Sequence, residues 1–454
     1  MSTSTTPAQA PPRLKRVLTL WDLILYGIVL IMPIAPVPLF GVAQKLSDGH
    51  AVTTILLSMF AMLLTAFSYG RMAAVYPSAG SAYTFVGYGL NPHLGFLAGW
   101  AMFLDYLIVP LICTVYGALT VQRLVPGVPY TLLAAAFAGA MTLINLRGIR
   151  TTARTNFVLA TIMSAVILVF IALALRFLFH QQGWHGVFST QPFYNPATFR
   201  VSSIALGTSL AALTYIGFDG ITTLAEDALN PRRNVLLATV SVCLFTGLFG
   251  GLQIYLAQRV WPDWHTFPNL ETAFMDVTQV VGGKFLFQAL AFVLILANLG
   301  SGLSGQAGLS RLLFGMGRDN VIPRRFFAYL DPKRNTPSLN IIMIGVIAFL
   351  GAIVLNYERA AELINFGAFL AFMGVNAATL RQFYLAPSAR SSRRLFADAI
   401  VPVLGIIFCF AIWASLATPA KILGGCWFVA GAIYDAAKTR GFKESPARID
   451  FRES

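Results

Sequence analysis

LTYIGFDGITT, residues 213–223, sets a carboxylate, Asp219, between Gly217 and Gly220 in a stretch otherwise apolar enough to lie in a lipid bilayer. A charged side chain at membrane depth costs about 2.5–3.5 kcal/mol on insertion scales, so it needs a partner or a water-filled site. The glycines let the chain leave helical geometry at little steric cost. A second interruption is YGIVLIMPIAPVPLFG, residues 26–41, with Pro33, Pro36 and Pro38 in one apolar run. Each proline removes a backbone donor and clashes with the preceding turn. The two interruptions occupy the first helix of each of two five-helix halves. Broken helices at matching positions point to an inverted-repeat transporter with its substrate site at the breaks. The plain alternative is a pair of ordinary kinked helices.

Composition sets the same class. Of 454 residues, 57% are hydrophobic and 11% charged, with a mean hydropathy of +0.71. Soluble proteins average about 25% charged residues, so this chain has too few charges to cover a water-facing surface. Its formal charge of +14 could suit a nucleic-acid binder. The Lys and Arg residues instead fall in short loops between apolar segments, the pattern of membrane proteins, and no nucleic-acid partner is indicated. Cys113, Cys243, Cys409 and Cys426 all lie in apolar segments without a CxxC or His/Cys cluster. Neither a disulfide framework nor a metal site follows, and the cysteines read as small buried packing residues.

A spanning helix needs about 20 mainly apolar residues. Twelve candidates run near 18–42, 51–71, 95–123, 130–147, 156–179, 203–229, 234–258, 286–316, 338–356, 361–384, 398–416 and 419–436. With the N-terminus in the cytoplasm, 24 of the 32 Lys and Arg residues lie inside. That bias places both termini in the cytoplasm. Residues 1–17 read as a disordered cytoplasmic segment without a cleavable leader. Helices 1–5 would occupy 18–180, helices 6–10 203–385, helices 11 and 12 398–436, and a basic cytoplasmic tail 437–454.

YPSAGSAYTF (76–85), FDGITTLAEDALNPRRN (218–234) and SRLLFGMGRDNVIP (310–323) together resemble segments of the amino acid–polyamine–organocation permeases. SYGRMAAVYPSAGSAYTF, LDYLIVPLI, TYIGFDGI, MGRDNVIP and LINFGAFLAF are similar to the bacterial putrescine importers of that superfamily. The likeness runs over nearly the whole chain. It implies an all-α integral membrane fold of twelve helices, a leucine-transporter-type 5+5 inverted repeat with helices 1 and 6 broken, and two further C-terminal helices. It also implies alternating access, the bacterial inner membrane, and uptake driven by the proton-motive force.

In related amino acid permeases a Gly-rich break in helix 1 offers backbone N–H groups to the substrate's α-carboxylate. Here residues 31–36 read IMPIAP. Two prolines delete two donors and no glycine allows close approach, so a carboxylate is poorly received beside Pro33, Ile34 and Ala35. Asp219 supplies the opposite chemistry, accepting charge-assisted hydrogen bonds from an ammonium; it could equally cap backbone N–H groups freed by the break at Gly220. Asp105, in GWAMFLDYLIVP, lies roughly 15 Å into helix 3 at 1.5 Å per residue, near the midplane. Its neighbour Tyr106 offers a ring face and a hydroxyl. The alternative for Asp105 is a structural bond to a donor elsewhere. A diamine has two cationic ends, which two separated acids suit. Tyr215 and Phe218 are the aromatic walls expected to pack the aliphatic spacer, with Tyr83, Trp100, Phe366 and Trp413 as further candidates. Glu226 could gate the inward path or relay a proton; as a solvated acid it could pair with Arg232.

Some superfamily members carry a helix 5 lysine in place of a sodium ion. Here Met163 falls near that position, in TNFVLATIMSAVIL. Proton coupling through Asp219, Asp105 or Glu226, diamine exchange, and uptake driven by membrane potential alone all remain open. The favoured function is a secondary importer of a putrescine-like diamine, with a small cationic substrate, a proton and the bilayer as partners and no cofactor. A permease or exchanger for a cationic amino acid is the alternative. An enzyme or sensor is disfavoured: there is no soluble domain and no HExxH, GxSxG or Walker pattern, and His50, His93, His180, His185 and His265 all read as loop or interface residues.

Overall fold

The computed structural model describes residues 16–77, 80–148, 153–318, 322–334, 336–387 and 393–446. Most of the N-terminal segment expected to be disordered, and the last residues of the basic tail, lie outside them. Among the described residues the chain is all-helical; the one isolated bridge pairs Leu18 with Ala228.

The first helix, α1 (Leu20–Ile31), starts in a capping box in which Thr19 and Asp22 bond each other's backbone. It stops at the proline run and resumes as α2 (Phe40–Leu46). At 1.5 Å per residue α1 covers about 18 Å, so it cannot cross a ~30 Å hydrocarbon layer alone. There follow α3 (Ala51–Val75), α4 (Ser81–Gly89), α5 (Pro92–Leu124), α6 (Tyr130–Leu146), α7 (Ala153–Gln182) and the short α8 (Trp184–Val187). The second interrupted segment is α9 (Val201–Ala211), followed by 3-10 turns at Ala212–Tyr215 and Phe218–Leu224. Next come α10 (Pro231–Val260), α11 (Ala273–Arg318), the short α12 (Arg324–Phe327), α13 (Ser338–Val354), α14 (Tyr357–Leu380), α15 (Val401–Ala414) and α16 (Thr418–Lys438).

Among the described residues, eight helical segments are long and apolar enough to cross a membrane, and α1, α6 and α13 are shorter apolar helices. The outward faces carry Leu132, Leu168, Phe285, Phe292, Leu350, Phe410 and Ile433, all exposed. A water-soluble protein would not present so continuous an apolar coat; the chain is a multi-pass membrane protein. Several sequence-based boundaries shift, two of them for a plain local reason. The segment expected at 286–316 begins at Ala273, because helices meet across Gly283, whose φ of 64° leaves helical geometry. The segment expected to start at 95 begins at Pro92, capped by the Asn91 side chain, with the separate α4 before it. Cys426 is exposed, not buried as expected, while the other three cysteines are buried.

The interior is built on α3 against α10, and on α5 against α11 and α14. Polar side chains tie these helices together, as they do where no hydrophobic force separates lipid from core. Asn376 donates to Thr65 Oγ1 at 3.1 Å, Asn365 to the Ser209 carbonyl at 2.6 Å and Asn145 to Gln306 at 2.8 Å. Outside the central cavity, the buried acids are partnered. Asp398 pairs with Arg71, Asp276 with Arg123 and Asp435 with His93, and Glu362 accepts the Ala417 N–H.

Removing one member of such a pair strands the other. Arg71→Met should destabilise the detergent-solubilised protein by roughly 1–3 kcal/mol, read as a lower Tm. Arg71→Met with Asp398→Leu should recover most of that loss, because no buried charge is then left unpaired.

Candidate functional site

Both breaks follow from local chemistry. At the end of α1, Met32 takes φ 67° and its N–H still reaches the Ile28 carbonyl at 3.0 Å. Past it, Ala35 donates to the Met32 carbonyl and Val37 to the Ile34 carbonyl, each at 3.0 Å, while Pro33, Pro36 and Pro38 have no N–H to give. The break therefore presents the C-terminal carbonyl end of α1, the negative end of its dipole. In the second interrupted segment Gly217 takes φ 117°, a conformation most side chains would not tolerate. The turn after it is held by Thr222, which donates to the Asp219 carbonyl at 2.6 Å, and by Thr223, which donates to the Gly220 carbonyl at 2.7 Å.

The breaks lie side by side and both line a cavity of about 420 Å³, together with α5, α11 and α14. Asp105, Tyr106, Asp219, Gly220, Ile34 and Ala35 all line it. Asp105 is 6% exposed and Asp219 5%. Asp105 Oδ1 is buried without a hydrogen-bond partner. The backbone at Gly217, Asp219 and Gly220 turns toward the Asp219 carboxylate, so the capping role read from sequence coexists with a cavity-facing one. Among the described residues no Lys or Arg pairs with either, in contrast to Asp276 and Asp398. Pro110 inside α5 adds an acceptor: without an N–H, it leaves the Tyr106 carbonyl, four residues back, without its helical donor. Every one of these features welcomes a cation, and none offers it a competing positive charge.

Three residues read as site residues are elsewhere. Tyr215 is buried with its hydroxyl donating to the Ile55 carbonyl at 2.8 Å, a helix-to-helix tie. Phe218 is buried among Tyr69 and Phe372, with ring centroids 5.4 and 5.3 Å away. The break at Gly217 orients the turn so that Asp219 faces the cavity and Phe218 the core. Pro33 lines a separate small cleft with Phe249, and its carbonyl accepts from Gln253 Nε2 at 3.0 Å. Glu226 is half-buried beyond the turn and lines neither the central cavity nor the smaller one beside it. Phe366 and Trp413 pack on each other, while Tyr83 and Trp100 line that smaller cavity of about 120 Å³ on the far side of Asp219.

The cavity also uses residues that the sequence reading missed: Tyr26, Thr223, Tyr357 and a stripe of Asn298, Ser301 and Ser304 on α11. Their signal was present, since polar residues three apart on an apolar helix share a face.

The amino acid permease family model matches residues 37–423, and the chain belongs to that family of membrane transporters. It is 33% identical to the low-affinity putrescine importer of Escherichia coli over 445 residues, 98% of each chain. It is 26% identical to the branched-chain amino acid permease of Lactococcus lactis, over 94% of this chain and 96% of that one. It is likewise 26% identical to the vacuolar cationic amino acid transporter 4 of Arabidopsis thaliana, over 83% of this chain and 65% of that one.

Tyr215→Phe separates packing from binding. It should lower stability by about 1 kcal/mol, the worth of one hydrogen bond, and leave ligand affinity unchanged in an equilibrium binding assay. A large loss of affinity without loss of stability would place Tyr215 in the site after all.

Proposed function

We propose that the chain is a secondary active transporter that imports putrescine or a similar small diamine by alternating access. The observation that carries this is the pair of buried carboxylates, Asp105 and Asp219, which face one cavity and have no Lys or Arg partner among the described residues. A buried charge without a partner is too costly to keep for stability alone, and a visiting ammonium offsets that cost. The helix 1 break strengthens the choice of an amine over an amino acid. Its prolines withhold N–H groups from a carboxylate, and its carbonyls suit a cation. The full-length likeness to a putrescine importer supports the same reading.

The architecture that goes with it has twelve spans. Residues 18–180 and 203–385 form two inverted repeats, 398–436 adds two helices, and α1–α2 and the α9 segment are the broken pair. The Lys and Arg bias supports cytoplasmic termini in a bacterial inner membrane. Energy comes from the membrane potential and a proton. A doubly charged guest gains about 4.6 kcal/mol per 100 mV, twice the single-charge figure. Asp105 and Asp219 are the carboxylates through which a proton would act. Glu226 stays a candidate relay only at the edge of the path. Met163 lines a small cavity beside Ser301 and Ser304, so no lysine fills that place.

Proteoliposomes with labelled putrescine and an inside-negative potential test this. Uptake is expected, with Asp219→Asn and Asp105→Asn each losing roughly ten- to a hundredfold, as follows from about 1.5–3 kcal/mol per charged hydrogen bond. Ornithine, which adds only a carboxylate to putrescine, should compete far less well. Undiminished transport by both variants, or better competition by ornithine, would overturn the reading.

A further inference from the structure

Asp219, Tyr106 and Thr223 line two cavities at once. The large one contacts α5 at Asp105–Cys113 and α11 at Leu294–Gly305. The small one contacts α5 at Phe96–Tyr106 and α11 at Leu312 and Met316. Along α5 it lies nearer the N-terminal end, where His93 meets Asp435 of α16, and along α11 nearer the C-terminal end. Its lining is aromatic: Tyr83 from α4, and Phe96, Trp100, Phe103 and Tyr106 from α5. Among the described residues, Asp219 is the one charged residue lining it, and no Lys or Arg does so. Trp100 is held in place by paired bonds with Trp427, each indole N–H donating to the other residue's carbonyl at 2.9 and 3.0 Å. The wall is therefore rigid. Ser81, from α4, contacts the Thr222 hydroxyl at 3.1 Å, fastening this wall to the turn that carries Asp219.

Resting on the amine-transport reading, we propose that this aromatic chamber is a second ammonium subsite, occupied after the central cavity, with Asp219 shared between them. Aromatic rings attract an ammonium when water is excluded, and their apolar bodies pack an aliphatic spacer. A carboxylate reachable from both sides lets the cation pass from one chamber to the next without ever losing its counter-charge. Tyr106, 41% exposed and common to both chambers, forms the partition. Because the two chambers share one carboxylate, a single guest occupies one or the other, not both.

Placing a fixed positive charge in the chamber tests this. Met316→Lys and Phe103→Lys put an ammonium beside Asp219 from the far side, and Met316→Gln and Phe103→Tyr are the controls of similar size. Putrescine binding to the purified full chain and counterflow-free efflux from proteoliposomes are measured together. Expected for each lysine variant is putrescine binding weakened and efflux slowed, both at least tenfold, because its ammonium holds Asp219 in place of the guest, the controls behaving like the unsubstituted chain. Efflux at the full rate from either lysine variant that still binds putrescine overturns the chamber's role. Failure of the unsubstituted chain to bind putrescine at all would instead remove the amine reading on which the proposal rests, so the two failures are told apart.

Discussion

Two buried carboxylates with no counter-cation among the described residues are the constraint around which this molecule is arranged. Coulombic and desolvation costs both rise steeply away from water. The protein meets them at its other buried acids with Arg71, Arg123, His93 and the Ala417 amide. At Asp105 and Asp219 it supplies no cation, and both open on the same space. A stable fold that gives three buried aspartates an Arg or His partner and gives these two none marks those two as sites for something that comes and goes.

The broken helices serve that constraint. An unbroken helix would satisfy its backbone internally and show the cavity nothing but side chains. Breaking α1 at a proline run exposes carbonyls without donors, and Pro110 frees the Tyr106 carbonyl on α5. Breaking the second segment at Gly217 turns Asp219 inward. The breaks are braced rather than loose. Gln253 holds the Pro33 carbonyl, Thr222 and Thr223 hold the turn after Gly217, and Val17 and Leu18 bond the Asp227 carbonyl at 2.8 and 3.0 Å. That last contact ties the start of α1 to the end of the Phe218–Leu224 turn, so the two interrupted segments that line the site are joined there.

Much of this was legible in the sequence because it depends on residue types that act through the backbone. Prolines at 33, 36 and 38, glycines at 217 and 220, and acids in apolar runs each mean nearly the same thing in any fold. Side-chain direction was not legible. Phe218 and Asp219 are adjacent on one 3-10 turn, and which of them enters the core and which the cavity depends on how the break at Gly217 orients that turn. Tyr215 looked like a wall aromatic but its hydroxyl was needed by the Ile55 carbonyl. The Asn298, Ser301 and Ser304 stripe could have been found by periodicity; an eye drawn to charges passed over it. Pro110 was visible too, but its consequence appears only once Tyr106 is known to face the cavity.

The most direct test is a structure of the full chain with a bound diamine. One ammonium nitrogen is expected about 2.7–2.9 Å from Asp219, the usual charge-assisted distance, and the other turned toward Asp105, with the aliphatic spacer beside Tyr106. A diamine bound outside this cavity, or both carboxylates found hydrogen-bonded to protein groups and turned from the guest, would contradict the account.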